Sequence, residues 1–423
     1  MSAPTEASTP KALNVIPFVA VTSVGYVLFA PAAIPDVLTD RFDIGYTAFG
    51  LLTSVPLLSV VVAQAPSSYL TARYSTTRIL LVATVVDTVV ALTLDFARTF
   101  LALLALRTVW GLAGGVILTV GATHIARLHR NSKATRQQGF YGGALTLGGA
   151  IAFLAAPLLL EAVGAAGLHG PGALLGAFAS AICWQHRDER STHPGCSRPD
   201  AERTESAETA STRDRRDPSD STARDRTNGE SSSVRHLLTH PVVIVAAFCY
   251  VASLGSYVTL STFVTAYFDA LDVTGPLNAA VLLVATAGRA AGGVVAGRWD
   301  VRDWTSIVVA TTAAVVGFFV LAFAHSRIVL ALFPLVAMLA VSLPFGAIYG
   351  VAANSTVSEG AALAVVIAAG NLAALLLPTV TGAIRDATGD YSGAFVVLGA
   401  INAVAAAGVV ALQRSSGPRS NAG

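Results

Sequence analysis

Charge is scarce in this chain. Only 12% of its 423 residues are Asp, Glu, Lys or Arg, roughly half of what a soluble globular domain carries. Hydrophobic residues make up 54% and the mean hydropathy is +0.64. That balance excludes an ordinary water-solvated domain. Neither sign of charge is in excess, the formal net charge being +2, so no nucleic-acid partner is expected. The three cysteines, Cys183, Cys196 and Cys249, have no metal-ligand spacing and no pairing pattern. No metal and no cofactor are expected. A phosphate-binding Gly-Lys-Ser/Thr loop is missing, as is any convergent set of nucleophile and base, which argues against a self-powered pump and against an enzyme. A signal peptide is not expected either. The stretch Met1 to Pro10 is polar, contains Glu6 and lacks a basic cluster, and the apolar run after it is too long for a signal core.

What the chain does have is one membrane-length apolar segment after another. A helix crosses a bilayer with about 20 apolar residues. The expected spans are 13–36, 47–71, 77–95, 99–128, 138–161, 167–185, 239–268, 276–298, 304–324, 328–353, 360–384 and 391–412. The expectation is an all-α membrane protein of twelve transmembrane helices in two pseudo-symmetric six-helix bundles. The organisation is then a tail over 1–12, one bundle over 13–186, a linker over 187–236, a second bundle over 237–413 and a tail over 414–423. The linker mixes both charge signs with Ser, Thr, Pro and Gly and has almost no large apolar residues, so it is expected to be disordered.

Basic residues set the orientation. Lys11, Arg73, Arg78, Arg127, Arg130, Lys133, Arg136, Arg298, Arg302, Arg414 and Arg419 fall on one side. Asp36, Asp40, Arg41, Asp43, Asp95, Arg98, Glu161, Asp269, Asp272, Arg327, Arg385, Asp386 and Asp390 fall on the other. The first side is expected to be cytoplasmic, with both termini and the linker, in the plasma membrane.

The two halves repeat each other. Gln64-Ala65-Pro66-Ser67-Ser68-Tyr69-Leu70-Thr71-Ala72-Arg73-Tyr74 pairs with Arg289-Ala290-Ala291-Gly292-Gly293-Val294-Val295-Ala296-Gly297-Arg298-Trp299. Ser23-Val24-Gly25 pairs with Ser253-Leu254-Gly255, and Ala155-Ala156-Pro157 with Leu376-Leu377-Pro378. Such duplication is typical of secondary transporters.

On these residues the chain resembles the major facilitator superfamily. The family's loop signature between spans two and three is similar to Ser68 to Arg78, with Ala72 in place of the acid and Ser in place of both glycines. Its second-half copy is similar to Gly293 to Asp300, and the fourth-span Arg-and-Gly motif to Arg107 to Gly115. The resemblance implies alternating access between the bundles, with Arg73, Arg78, Arg298 and Asp300 in gating loops. Part of the chain also resembles nitrate/nitrite porters, through the Gly-rich stretch 142–154 and Ala368-Ala369-Gly370-Asn371. In those porters an Arg in each half holds the anion, whereas here Gln64 stands opposite Arg289. Span five continues as Ala156-Pro157-Leu158-Leu159, unlike the Gly-Pro and Gly pair of drug exporters.

Ionisable groups inside spans are costly and point to function. Arg289 is mid-span and requires a partner, a wet cavity or an anionic ligand. Arg107 reads as a substrate or coupling residue, or as a structural Arg bonded to backbone carbonyls. Asp87 is the candidate proton carrier, with a peripheral carboxyl bonded to Thr84 or Thr88 as the alternative. His124 is expected near the interface. Gln64, Asn371, Tyr26 of span one and Tyr257 of span seven complete the candidate substrate set, Tyr257 lying among Ser253, Ser256, Thr259, Ser261, Thr262 and Thr265. Glycines four apart, such as Gly111 and Gly115, Gly139 and Gly143, and Gly288 and Gly292, read as close helix contacts. The function expected is secondary active transport of a small polar solute, an anion being favoured, by a monomer in the lipid bilayer. A proton-linked drug or metabolite exporter is the alternative within transport, and a non-transporting sensor the alternative outside it.

Overall fold

The computed structural model describes residues 11–129, 132–164, 167–187, 239–273, 276–298, 303–353 and 359–415. Among them all regular structure is helical. The linker beyond Arg187 and Asp300 lie outside the described residues.

Every expected span is present as a helix. Span one is Lys11–Phe29, continued by a 3-10 turn Ala30–Ala33. Spans two to six are Tyr46–Arg73, Thr76–Leu94, Phe100–Leu128, Ser132–Val163 and Gly170–Gln185. Spans seven to nine are Pro241–Asp269, Leu277–Arg298 and Asp303–Phe323. Span ten is broken into Arg327–Ser342 and Phe345–Ala353. Spans eleven and twelve are Glu359–Thr388 and Ser392–Ser415. The break has a plain cause. Pro344 has no N–H to give to the carbonyl of Ala340, and Leu343 and Pro344 form a turn.

One helix was not expected. Pro35–Phe42 forms two turns where the sequence reads as a loop. Pro35 stands at its start, Asp36 in its first turn, and Asp43 ends it in the left-handed region at φ 52°, which Asp tolerates better than most residues. Arg41 ties this helix down by donating to the carbonyls of Asp95 and Ala97, at 3.2 and 2.8 Å.

Small residues allow close packing within each bundle. A Cβ on Gly111 would lie 2.7 Å from the Pro56 carbonyl oxygen, and one on Gly115 2.7 Å from Val60 Cα, so span four rests directly on span two. Spans one and five meet the same way, with a Cβ on Gly25 landing 1.9 Å from the Leu145 oxygen and one on Gly148 2.1 Å from the Thr22 oxygen. Gly292 approaches the break in span ten, 2.2 Å from the Leu343 oxygen by the same measure. Gly139 is different, since a Cβ there would meet nothing within 4 Å. Its expected packing role is absent.

The helix ends separate into two faces. Arg127 donates to the Thr71 carbonyl at 2.7 Å and Arg78 to the Arg187 carbonyl at 3.2 Å, placing the ends of spans two, four and six on one arginine-rich face. Asp36, Asp95, Asp269 and Asp386 lie at the opposite, acidic end. His124 lies at the arginine-rich end, as expected, and is fully buried there. Its ring is 2.8 Å from Thr76 Oγ1 and 3.0 Å from the Leu13 carbonyl, so it cross-links spans one, three and four.

Candidate functional site

The bundles meet along two helix pairs. Spans two and eleven run antiparallel, since Tyr46 pairs with Asp386 and Ser54 with Thr379. A Cβ on Gly382 would fall 2.1 Å from the Tyr46 oxygen, and one on Gly50 2.8 Å from the Pro378 oxygen. Spans five and eight meet through Thr146 and Thr286, whose hydroxyls are 2.6 Å apart. Asp386 closes the acidic face. Its Oδ1 accepts from the Tyr46 N–H and its Oδ2 from the Thr47 N–H, both at 2.8 Å, and Oδ2 also accepts from the Thr47 hydroxyl. A carboxylate from one bundle thereby caps the start of a helix in the other, where the unsatisfied N–H groups and the helix dipole favour negative charge. Around it Tyr46, Phe49, Phe263, Tyr267, Tyr391 and Phe395 form a connected aromatic cluster.

Behind this closure lies Arg289, half-buried on span eight. Its guanidinium carbon is 4.3 Å from the Tyr257 ring centroid and 4.2 Å from that of Phe345. Span seven supplies one ring and the short half of span ten the other. Cation–π contact holds the guanidinium plane, while Nε and Nη2 are buried with no hydrogen-bond partner. Those two nitrogens share one edge of the group, from which two N–H bonds point in parallel. That edge matches the two oxygens of a planar oxyanion. Tyr250 and Tyr349 pair through their hydroxyls beside Phe345, and Tyr257 meets Phe29 of span one edge-on at 6.1 Å. The site therefore sits between the bundles. The Tyr257 hydroxyl, Ser253 Oγ and Thr259 Oγ1 are also buried without partners. Ser261 and Thr262 instead bond back to their own helix, as hydroxyls in spans commonly do.

The other expected site residues divide. Gln64 and Asn371 are half-buried and share the helix faces that carry Gly50 and Ser54 on span two and Pro378 on span eleven. The antiparallel register of the two spans brings them to similar depth. Tyr26 is not with them. It is fully buried inside the first bundle and donates to the Leu168 carbonyl at 3.1 Å. Arg107 is also withdrawn, 0% exposed, donating to the carbonyls of Leu52 at 2.6 Å, Val27 at 3.4 Å and Leu28 at 3.0 Å. Its structural alternative describes that geometry. Asp87 is buried rather than peripheral, and its partner is Ser23 at 3.1 Å. Thr84 and Thr88 bond to backbone carbonyls. In the loops, Arg73 stacks on Tyr69 at 4.3 Å, and Arg298 ends its helix. Phe345, Tyr250 and Tyr349 were not among the expected residues.

The Major Facilitator Superfamily matches over residues 15–361. The chain belongs to that superfamily. Two solved structures share its fold, both of a bacterial homolog to the human lysosomal transporter Spinster. One is in an inward-facing and occupied conformation, at 14% identity and a TM-score of 0.69, and the other in an inward-facing and unoccupied conformation, at 16% and 0.69. Each alignment covers 98% of both chains. No curated protein matches the chain. Membership accounts for the twelve-helix plan and supports a secondary transporter that binds a small-molecule substrate in a lipid bilayer.

Proposed function

We propose that this chain is a secondary active transporter of a small organic anion, held at Arg289 between the two bundles. The carrying observation is the guanidinium edge, with Nε and Nη2 buried and unpartnered beside two aromatic rings. A buried donor left unmade costs about 1–3 kcal/mol, more for a charged group, so a ligand that takes both donors gains what the empty site forgoes. The rings, 4.2 and 4.3 Å from the guanidinium carbon and edge-on to each other, line an apolar corner beside the cation and favour a ligand with an apolar body over a bare inorganic ion. This supports a carboxylate-bearing solute above nitrate.

Gln64 and Asn371 contribute neutral hydrogen bonds at similar depth. The arginine-rich face is the cytoplasmic one, with both termini, in a plasma membrane. The closed acidic face is then the outer one. Asp300 and the Arg73, Arg78 and Arg298 positions serve as the gating loops, and the monomer is the transporting unit.

The experiment is a thermal-shift screen of the purified chain against a series of monocarboxylates, dicarboxylates, nitrate and neutral isosteres. A bound ligand raises Tm by mass action. Carboxylates should stabilise the wild type and not Arg289→Gln, while Arg289→Lys, which keeps charge but loses the fork, should weaken the shift. Equal shifts in wild type and Arg289→Gln would remove the anion reading.

A further inference from the structure

A second buried ionisable group stands apart from the Arg289 site. Asp87 is 0% exposed, at the place where spans one, three, four and six converge. Gly176 of span six makes room for it, since a Cβ there would lie 3.3 Å from Asp87 Oδ2, 3.2 Å from Ser23 Oγ and 2.5 Å from Thr88 Oγ1.

The hydrogen bonds around it can be counted proton by proton. Ser23 Oγ lies 2.8 Å from the Gly172 carbonyl oxygen and 3.1 Å from Asp87 Oδ2. A serine hydroxyl has one proton. Given to Gly172, it leaves nothing for Asp87. Given to Asp87, it leaves the buried Gly172 carbonyl without it. Both contacts are satisfied together when Asp87 carries its own proton on Oδ2. The carboxyl then donates to Ser23 Oγ, and Ser23 donates to Gly172.

The surroundings agree with a neutral acid. Span one offers Ser23 and, a turn away, Tyr26, whose hydroxyl is engaged by the Leu168 carbonyl. Span six offers Gly172 and Gly176. Span three offers Thr84 and Thr88, both bonded to their own helix. Span four offers Trp110 and Arg107, and the Arg107 guanidinium is directed at three backbone carbonyls. No cation among the described residues is paired with the carboxyl. Yet the site also holds the means to accept the ionised form. Asp87 Oδ1 and Trp110 Nε1 are both buried with no other partner, and the indole N–H is already within reach of the carboxyl, so a small tightening of that contact would satisfy Oδ1 once it carries charge. Two hydrogen-bonding arrangements are thus available, one for each protonation state.

We propose that Asp87 is a proton-carrying site of this transporter, loaded in the arrangement described and unloaded when the bundles rearrange. The proton comes from water and returns to it as H⁺, with no other bond made or broken. The site is distinct from Arg289, so it stands whether or not the transported solute is an anion.

The test is infrared difference spectroscopy on the full chain in lipid nanodiscs at neutral pH. Wild type minus Asp87→Asn should contain the carbonyl stretch of one protonated carboxylic acid. Asp87→Asn should fold and keep its melting temperature, because the amide NH2 can donate to Ser23 as the neutral acid does. The same difference is then taken in a Gly382→Leu background, which forces the acidic face apart, with Gly50→Leu as a second route should the first fail to fold. There the carboxylic band should diminish. A spectrum with no such band in the first difference would overturn the proposal. So would a band of unchanged intensity in the second, which would leave Asp87 as a fixed structural acid.

Discussion

Arg107 donates from Nε to the carbonyl oxygen of Leu52 at 2.6 Å, and that oxygen has no donor within its own helix, because the residue four positions on is Pro56. Val27, which accepts from Nη1, is in the same situation with respect to Pro31. One guanidinium thus serves carbonyls that two prolines leave unpaired in a medium with no water to replace the missing N–H. The second bundle repeats the device with a different side chain. Pro334 frees the Leu330 carbonyl, and the Tyr267 hydroxyl donates to it at 3.1 Å.

Arg107→Leu should therefore lower stability by about 1–3 kcal/mol for each carbonyl left unpaired, without altering ligand selectivity. Pro56→Ala restores an N–H for Leu52. In that background the cost of Arg107→Leu should shrink by about 1 kcal/mol. A double-mutant cycle on melting temperature in detergent checks this, and strictly additive shifts would contradict it.

Glycines inside a bundle and between bundles should respond differently to one added methyl. Gly148→Ala places a carbon against the Thr22 backbone within one bundle, where no rigid-body motion relieves it, so Tm should fall by the equivalent of about 1–3 kcal/mol. Gly382→Ala meets Tyr46 across the interface, and parting of the bundles relieves it. Its Tm should change little, while a cysteine placed at Ser54, in a chain whose three native cysteines are replaced, should label faster from the acidic side. Unaltered labelling would show that this contact does not hold the closed state.

Asp386→Ala removes the cap from span two. Such a loss is worth about 1 kcal/mol, and here it falls only on the arrangement in which the bundles touch at that face. The same Ser54 cysteine should become more reactive, with Asp386→Asn intermediate because one acceptor oxygen remains.

His169 carries a pH dependence. It lies before span six with Nδ1 2.6 Å from Asp95 Oδ1, and Asp95 Oδ2 accepts from the His169 backbone N–H at 3.1 Å. Burial pushes the imidazole below its usual range, the Asp95 carboxylate opposes that shift, and Arg107 adds to it. A base depressed in the folded state binds fewer protons folded than unfolded below the unfolded pKa of about 6.5, so stability is full above that pH and falls on acidification, by at most about 1.4 kcal/mol per pH unit. Melting curves from pH 7 to pH 5 should fall less steeply for His169→Gln than for the wild type. Identical slopes would mean that the imidazole takes up its proton over the same pH range folded and unfolded.

The spans were legible in the sequence because length and apolarity are enough to specify a membrane helix. The short helix Pro35–Phe42 was not, although Pro35 and Asp36 mark its start, because its mixed polarity resembles a loop. The break in span ten was hidden for the opposite reason, its apolar pattern continuing unbroken through Pro344. Arg107 was written in the sequence more fully than composition suggests, since Pro31 and Pro56 name the carbonyls that require a donor, but which helix supplies it depends on packing. For Arg289 the charge was conspicuous and Tyr257 was legible as a polar-faced neighbour. Phe345 was not, because only the turn at Leu343–Pro344 brings that ring edge-on against Tyr257.

That turn has a mechanical meaning. Tyr257 belongs to a continuous helix, whereas Phe345 rides at the first position of a nine-residue segment jointed to the rest of span ten. The two rings beside the cation are therefore mounted differently, one on an unbroken helix and the other on a segment that turns at Leu343–Pro344 and leads toward the arginine-rich rim. The angle of that segment sets the corner in which Arg289 sits.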